Sequence, residues 1–69
     1  MNRIGQFLKD KGLKQSWLAS QLGMSKVMIS LYCKNKRQPK LETLIKMSQI
    51  LQSDVNSLID LSESKVDLS

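Results

Sequence analysis

The sequence predicts a small all-α domain of five short helices. Apolar side chains recur at three- and four-residue intervals, residues that end helices follow several of these stretches, and no stretch alternates apolar and polar residues as a strand would. A chain of 69 residues has room for one hydrophobic core. We therefore expect one domain over residues 1–61 and a polar tail over residues 62–69.

Two glycines mark the ends of the first two predicted helices. The first helix is expected over residues 2–11 and stops at Gly12, and the second begins at Gln15 and stops at Gly23. Glycine adopts the left-handed backbone conformation that commonly ends a helix. Both helices are therefore short.

Capping residues place the remaining helices. Ser25 is a good N-cap for a third helix over residues 26–34, and Asn35 follows where a left-handed residue is needed. Apolar spacing predicts a fourth helix from Leu41, and Asp54 is a plausible N-cap for a fifth. The apolar residues of this fifth helix are Val55, Leu58 and Ile59.

Positive charge is concentrated in the first three-quarters of the chain. Residues 1–53 hold ten Lys or Arg and two Asp or Glu, whereas residues 54–69 hold one Lys and four acids. The formal net charge of the whole chain is +5. A basic surface attracts a polyanion, either nucleic acid or an anionic membrane, although a soluble protein can also simply be basic. No predicted helix is basic and amphipathic enough to bind a membrane surface.

Enzymatic and metal-dependent functions find no support in the sequence. It contains no histidine and a single cysteine, Cys33, so it offers neither a zinc site, an internal disulfide nor an activated nucleophile. Clustered carboxylates and a Gly-rich phosphate loop are also absent. We expect a non-enzyme without cofactor or metal, in which Cys33 packs as a small apolar residue. Because no apolar run could span a bilayer and no secretory signal is seen, we expect a cytoplasmic protein.

Residues 15–34 meet the demands of two helices joined by a tight turn. Ala19 allows the helices to approach closely, and Gly23 supplies the positive φ of the turn. Ile29 and Tyr32 can pack back into the angle between the helices. This segment resembles the helix-turn-helix of the phage repressor and Cro (C1) family, also described as xenobiotic-response-element-like. The matching residues are Gln15, Leu18, Ala19, Leu22, Gly23, Met24, Ser25, Ile29 and Ser30.

The resemblance extends over residues 2–61, because residues 35–44 are similar to the loop and fourth helix of the same family. It implies a repressor-like domain that binds double-stranded DNA, inserts its third helix into the major groove and regulates transcription. The chain departs from the family at Lys14, where threonine is usual, at Cys33, where glutamate is common, and at Asn35 and Gln52, which replace glycines. These departures concern local stability more than function.

The third helix has an outward face that helical geometry defines. At 100° per residue, Val27, Leu31 and Lys34 lie opposite the inward-facing residues of the helix. Exposed aliphatic side chains suit thymine methyl groups in the major groove. The expected base-contacting residues are Lys26, Val27, Met28, Ser30 and Leu31. The alternative is that the apolar members are merely exposed or cover a partner protein.

Phosphate contacts are expected around the same helix. The resemblance places Gln15 at a position that contacts phosphate and braces the third helix. The loop after that helix is rich in lysine and arginine, which can also bind phosphate. The expected set is Gln15, Ser25, Lys34, Lys36, Arg37 and Lys40. Solvated polar side chains are the alternative for Gln15 and for the loop residues Lys36, Arg37 and Lys40. Trp17 is expected to be half-buried against the first helix or the tail.

Domains of this type usually bind two half-sites as a two-fold dimer. The apolar residues Val55, Leu58, Ile59 and Leu61 exceed what one face of a short fifth helix needs, so a homodimer through this helix and the tail is expected. The competing interpretation is an antitoxin or an adaptor, in which the same fold binds another protein.

Overall fold

The computed structural model describes residues 2–59, and within this range every regular element is helical. Four α-helices, α1 (Ile4–Lys11), α2 (Gln15–Leu22), α3 (Lys26–Cys33) and α4 (Leu41–Leu51), precede one turn of 3-10 helix, Val55–Leu58. The prediction of an all-α domain around a central pair of helices is confirmed.

The fifth helix is shorter than the sequence predicts. Asp54 lies at its N-cap position, but the carboxylate accepts no capping hydrogen bond and only one 3-10 turn forms. Leu58 is fully buried, and Val55 and Ile59 pack against the core. The apolar side chains expected to be in excess here therefore serve the core of the domain itself. Leu61 and the polar tail over residues 62–69 lie outside the described residues.

The first helix begins two residues later than expected because Asn2 has another role. Asn2 forms an antiparallel bridge with Ile59, and the Arg3 N–H donates to the Leu58 carbonyl at 2.8 Å. The Asn2 side chain Oδ1 then accepts a hydrogen bond from the Ile4 N–H at 3.0 Å. The chain thus enters α1 only at Ile4, with the N-terminal segment pinned to the end of the 3-10 helix.

Nine side chains of residues 2–59 form the hydrophobic core, and every helical element in this range contributes to it. Ile4, Leu18, Ile29, Met47 and Leu58 are completely inaccessible to solvent. The other four members are Leu8, Ala19, Tyr32 and Leu44. Because α1, α2 and α3 have eight residues each, none is long enough to be stable alone, so their stability comes from this shared core.

Each α-helix is followed by a residue with positive φ. Gly12, Gly23, Asn35 and Gln52 have φ angles of 68°, 67°, 58° and 53°. The N–H of the next residue then bonds to a carbonyl five positions back, as between Leu13 and Leu8 at 2.8 Å. The same bond joins Met24 to Ala19, Lys36 to Leu31 and Ser53 to Ser48. The left-handed residues expected at 12, 23 and 35 are therefore confirmed.

Helices α1 and α3 cross closely at Gly5. A Cβ atom at this position would lie 3.1 Å from the Cys33 carbonyl oxygen and 3.2 Å from the Cys33 Cβ. Glycine therefore favours this approach, because a larger residue would require Cys33 to shift by a few tenths of an ångström. Cys33 is half-buried and packs against the core, as expected of a small apolar residue, and burial raises the pKa of its thiol.

Asn35 and Gln52 should respond oppositely to replacement by glycine. Gln52→Gly relieves the cost of a left-handed L-residue, and we expect the free energy of unfolding to stay level or to rise by up to about 1 kcal/mol. Asn35→Gly removes a side chain that bonds to both Asn2 and Gln38, and we expect a loss of about 1–3 kcal/mol. Urea unfolding of the two variants measures both changes. Equal gains in both would show that the Asn35 amide contributes nothing.

The Ser25 hydroxyl determines where α3 begins. Ser25 is extended, and its Oγ accepts a hydrogen bond from the Met28 N–H at 3.1 Å, which confirms the predicted N-cap. Ser25→Ala should therefore lower the free energy of unfolding by about 1 kcal/mol. Ser20→Ala, on the exposed side of α2, is the matched control and should change it by less than about 0.5 kcal/mol. Thermal unfolding of both variants measures these changes. If both substitutions lower the free energy of unfolding by a similar small amount, the Ser25 hydroxyl does not stabilise the start of α3.

Candidate nucleic-acid interface

The helix-turn-helix consists of α2, a three-residue turn and α3. Ala19 is only 4% exposed where the two helices meet, and the fully buried Leu18 and Ile29 fill the angle between them. The turn starts at left-handed Gly23 and ends at the Ser25 cap. The small residue at the helix crossing, the positive φ in the turn and the apolar side chains between the helices are therefore all at the positions predicted for them.

The start of α2 lacks a side-chain cap. Lys14 occupies the N-cap position in an extended conformation and makes no capping hydrogen bond. Gln15, the first residue of α2, is half-buried. The expectation that replacing the usual threonine leaves this helix weakly capped agrees with the structure.

The solvent exposure of the side chains on the outward face of α3 varies more than a helical wheel predicts. Val27 is 71% exposed, Lys26 is exposed beside it, and Lys34 is exposed at the other end of the helix. Ser30 and Leu31 are half-buried. Met28 packs against the core, and Leu31 is not among the described side chains that do so. The N-terminal half of the helix therefore presents Val27 most fully, whereas Met28 is partly occupied by packing.

The loop after α3 presents exposed bases and is folded back on the helix. The backbone N–H groups of Lys36 and Arg37 both donate to the Leu31 carbonyl, at 2.9 and 3.3 Å. The side chains of both residues are exposed, as is that of Lys40 at the start of α4. The structure thus holds Lys36 and Arg37 at the C-terminal end of α3, at the opposite end of the helix from Lys26 and Val27.

Two exposed apolar residues on α4 were not anticipated from the sequence. Leu41 is 65% exposed and Ile45, one turn later, is 41% exposed, so they share a face of the helix. The available signal was that α4 has more apolar positions than one face can bury. Trp17 is 38% exposed, somewhat more than the half-buried packing expected for it.

Neither a cluster of metal ligands nor a membrane-spanning helix is found in residues 2–59. No set of three or more His, Cys, Asp or Glu side chains in this range is grouped to hold a metal ion. None of its helices is both long and apolar enough to cross a membrane.

The family model for helix-turn-helix domains matches residues 4–58. No protein with a curated description matches the chain. Among solved structures, a candidate DNA-binding protein from Bacteroides fragilis is 42% identical, with a TM-score of 0.84 over 87% of this chain and 97% of that one.

Two further structures share the fold. The N-terminal DNA-binding domain of SinR from Bacillus subtilis is 36% identical, with a TM-score of 0.69 over 84% of this chain and 86% of that one. A transcriptional regulator from Listeria innocua has a TM-score of 0.71 over 99% of this chain and 75% of that one, at 20% identity, which supports the fold alone. The predicted resemblance is confirmed: the chain belongs to the helix-turn-helix family of the phage repressor and Cro type.

Proposed function

We propose that the chain binds specific sequences in double-stranded DNA and regulates transcription as a repressor, without enzymatic activity. The observation that carries this proposal is the N-terminal half of α3, where Lys26 and Val27 are exposed while Ile29 on the opposite face is fully buried. The relatives named for DNA binding, at 42% and 36% identity, support it. In this role α3 enters the major groove, and the domain over residues 1–61 carries the activity, with residues 62–69 as a polar tail.

Base recognition would rely on apolar contact. The outward face of α3 carries no Arg, Gln or Asn, the residues that make bidentate hydrogen bonds to guanine or adenine. Val27, the most exposed apolar side chain of the helix, suits a thymine methyl group, and Lys26 can reach a guanine acceptor or a phosphate. The proposed base-contacting set is Lys26, Val27, Met28, Ser30 and Leu31.

Phosphate contacts would surround this face. The exposed ammonium and guanidinium groups after α3 face little competition from acids, because residues 1–53 contain only Asp10 and Glu42. The Ser25 hydroxyl accepts from the Met28 N–H and still has its own proton to donate. The proposed phosphate-contacting set is Gln15, Ser25, Lys34, Lys36, Arg37 and Lys40.

A homodimer that reads two half-sites about 10 bp apart, or a multiple of that, remains part of the proposal. Since Leu58 is buried within the domain, the exposed pair Leu41 and Ile45 is the better supported contact surface. The same pair supports the second candidate function, an antitoxin or adaptor that binds another protein. A DNA-binding role would place the chain in the cytoplasm. Sedimentation of the chain alone and with its operator distinguishes these assemblies.

The loop bases should contribute charge rather than sequence preference. Replacing Lys36, Arg37 and Lys40 together by Ala should weaken binding to all duplexes alike and flatten the plot of log K against log salt by about one per lost contact. Titrations of a selected and a scrambled duplex at several salt concentrations measure this. The matched control replaces Lys9, Lys11 and Lys46, exposed bases on α1 and α4, and should leave the slope nearly unchanged. Equal slopes for the two triple variants would place the loop bases in solvent.

Thymine methyl groups should account for part of the specificity. Replacing one thymine of the selected half-site by uracil removes only the methyl group and should cost about 1 kcal/mol at the contacted position. In the Val27→Ala protein the same replacement should cost little, because the two changes remove one contact. Affinities of the two proteins for the two duplexes form the cycle. Tolerance of uracil at every position would show that α3 does not read thymine.

A further inference from the structure

Three amide side chains join the N-terminal segment to the end of α3. Asn2, Asn35 and Gln38 are connected by hydrogen bonds across 33 and 36 residues of sequence, and we call this group the amide clamp. The Asn2 Nδ2 donates to the Gln38 Oε1 at 3.0 Å and to the Tyr32 carbonyl at 2.9 Å. Tyr32 lies in the last turn of α3. Asn2 is 6% exposed and its bond to the Tyr32 carbonyl is buried, whereas its bond to the exposed Gln38 is only partly buried.

Asn35 is paired with Asn2 in both directions. The Asn2 N–H donates to the Asn35 Oδ1 at 2.9 Å, and the Asn35 Nδ2 donates back to the Asn2 carbonyl at 3.2 Å. The Gln38 Nε2 also donates to the Asn35 Oδ1, at 3.2 Å. The Asn35 amide therefore takes the place of a neighbouring strand for the Asn2 backbone. This explains why asparagine, rather than the glycine its positive φ favours, occupies this position.

Two residues of the amide clamp lie on either side of the two basic residues that follow α3. Lys36 and Arg37 lie between Asn35 and Gln38, both of which are bonded to Asn2. Their own N–H groups are held by the Leu31 carbonyl. The backbone of this loop is thus fixed from both ends and from the helix, while the two charged side chains are exposed.

We propose that Asn2 is a positioning residue for phosphate contact: through the amide clamp it fixes the direction in which Lys36 and Arg37 leave the end of α3. This inference rests on the proposed DNA binding. An oriented pair of bases pays less conformational entropy on binding than a pair on a mobile loop, so the clamp raises affinity without touching the DNA. A clamp that only stabilised the fold would leave the affinity of folded protein unchanged.

The test compares folded variants in the salt dependence of binding to the selected duplex. Asn2→Ser keeps an acceptor for the Ile4 N–H, since a serine hydroxyl can accept from the backbone two residues later as asparagine does, but it is too short to reach Tyr32 or Gln38. Gln38→Ala removes one arm of the clamp and leaves the entry into α1 intact. The matched control is Gln6→Ala, which removes another amide hydrogen bond of α1, to the Asp10 carboxylate at 2.8 Å, on the exposed surface.

All measurements are made at a temperature where circular dichroism shows every variant to be fully folded. The slope of log K against log salt should fall by about one or more in Asn2→Ser and stay unchanged in Gln6→Ala. Adding Lys36→Ala and Arg37→Ala should flatten the slope of the parent protein more than that of Asn2→Ser. Gln38→Ala should show a smaller change in the same direction.

Two failures can be told apart. If the parent chain binds no duplex after selection from random sequences, the proposed function is wrong and the inference is overturned with it. If the parent binds and the loop bases contribute, but folded Asn2→Ser keeps the parental slope and an affinity within about twofold, the clamp has no positioning role. Should Asn2→Ser not fold, Gln38→Ala is judged by the same two measurements. A parental slope together with an affinity within about twofold of the parent protein then overturns the inference.

Discussion

Positive φ angles at Gly12, Gly23, Asn35 and Gln52 stop every α-helix after two or three turns. Helices of eight to eleven residues are too short to hold their own conformation in water, so each depends on neighbours for stability. The left-handed residues are what allow the chain to reverse quickly enough for those neighbours to share one small core. Where the residue is asparagine rather than glycine, its side chain offsets the backbone cost through further hydrogen bonds.

Features set by neighbouring residues could be predicted from the sequence, and features set by distant contacts could not. Gly23 and Ser25 act within one turn, so their roles follow from local chemistry. The apolar spacing of Val55 and Leu58 fits an α-helix or a 3-10 turn equally well, and only packing decides. The partners of Asn2 in and around the amide clamp lie 30 to 36 residues away, and no local sequence pattern predicts them.

The same distinction applies to the candidate site. A helical wheel gives the direction of each α3 side chain but not how much of the helix its neighbours cover. The exposure of Val27 was therefore predicted, and the partial packing of Met28 was not. Ala19 on one side and Gly5 on another bring two helices against α3, and the amide clamp holds its C-terminal end. Contact on three sides leaves α3 little freedom to reorganise when its outer face meets a partner.

The bridge between Asn2 and Ile59 also bears on the order in which the chain can fold during synthesis. The N-terminal segment leaves the ribosome first, yet its backbone partners at Leu58 and Ile59 are made last among the described residues. Helices α2 and α3 can pack as soon as both emerge, since their contacts are local, whereas α1 is locked only after the end of the domain is available. Contacts between α2 and α3 can therefore begin early in synthesis, but neither helix is secured until the shared core, with Leu58, is complete.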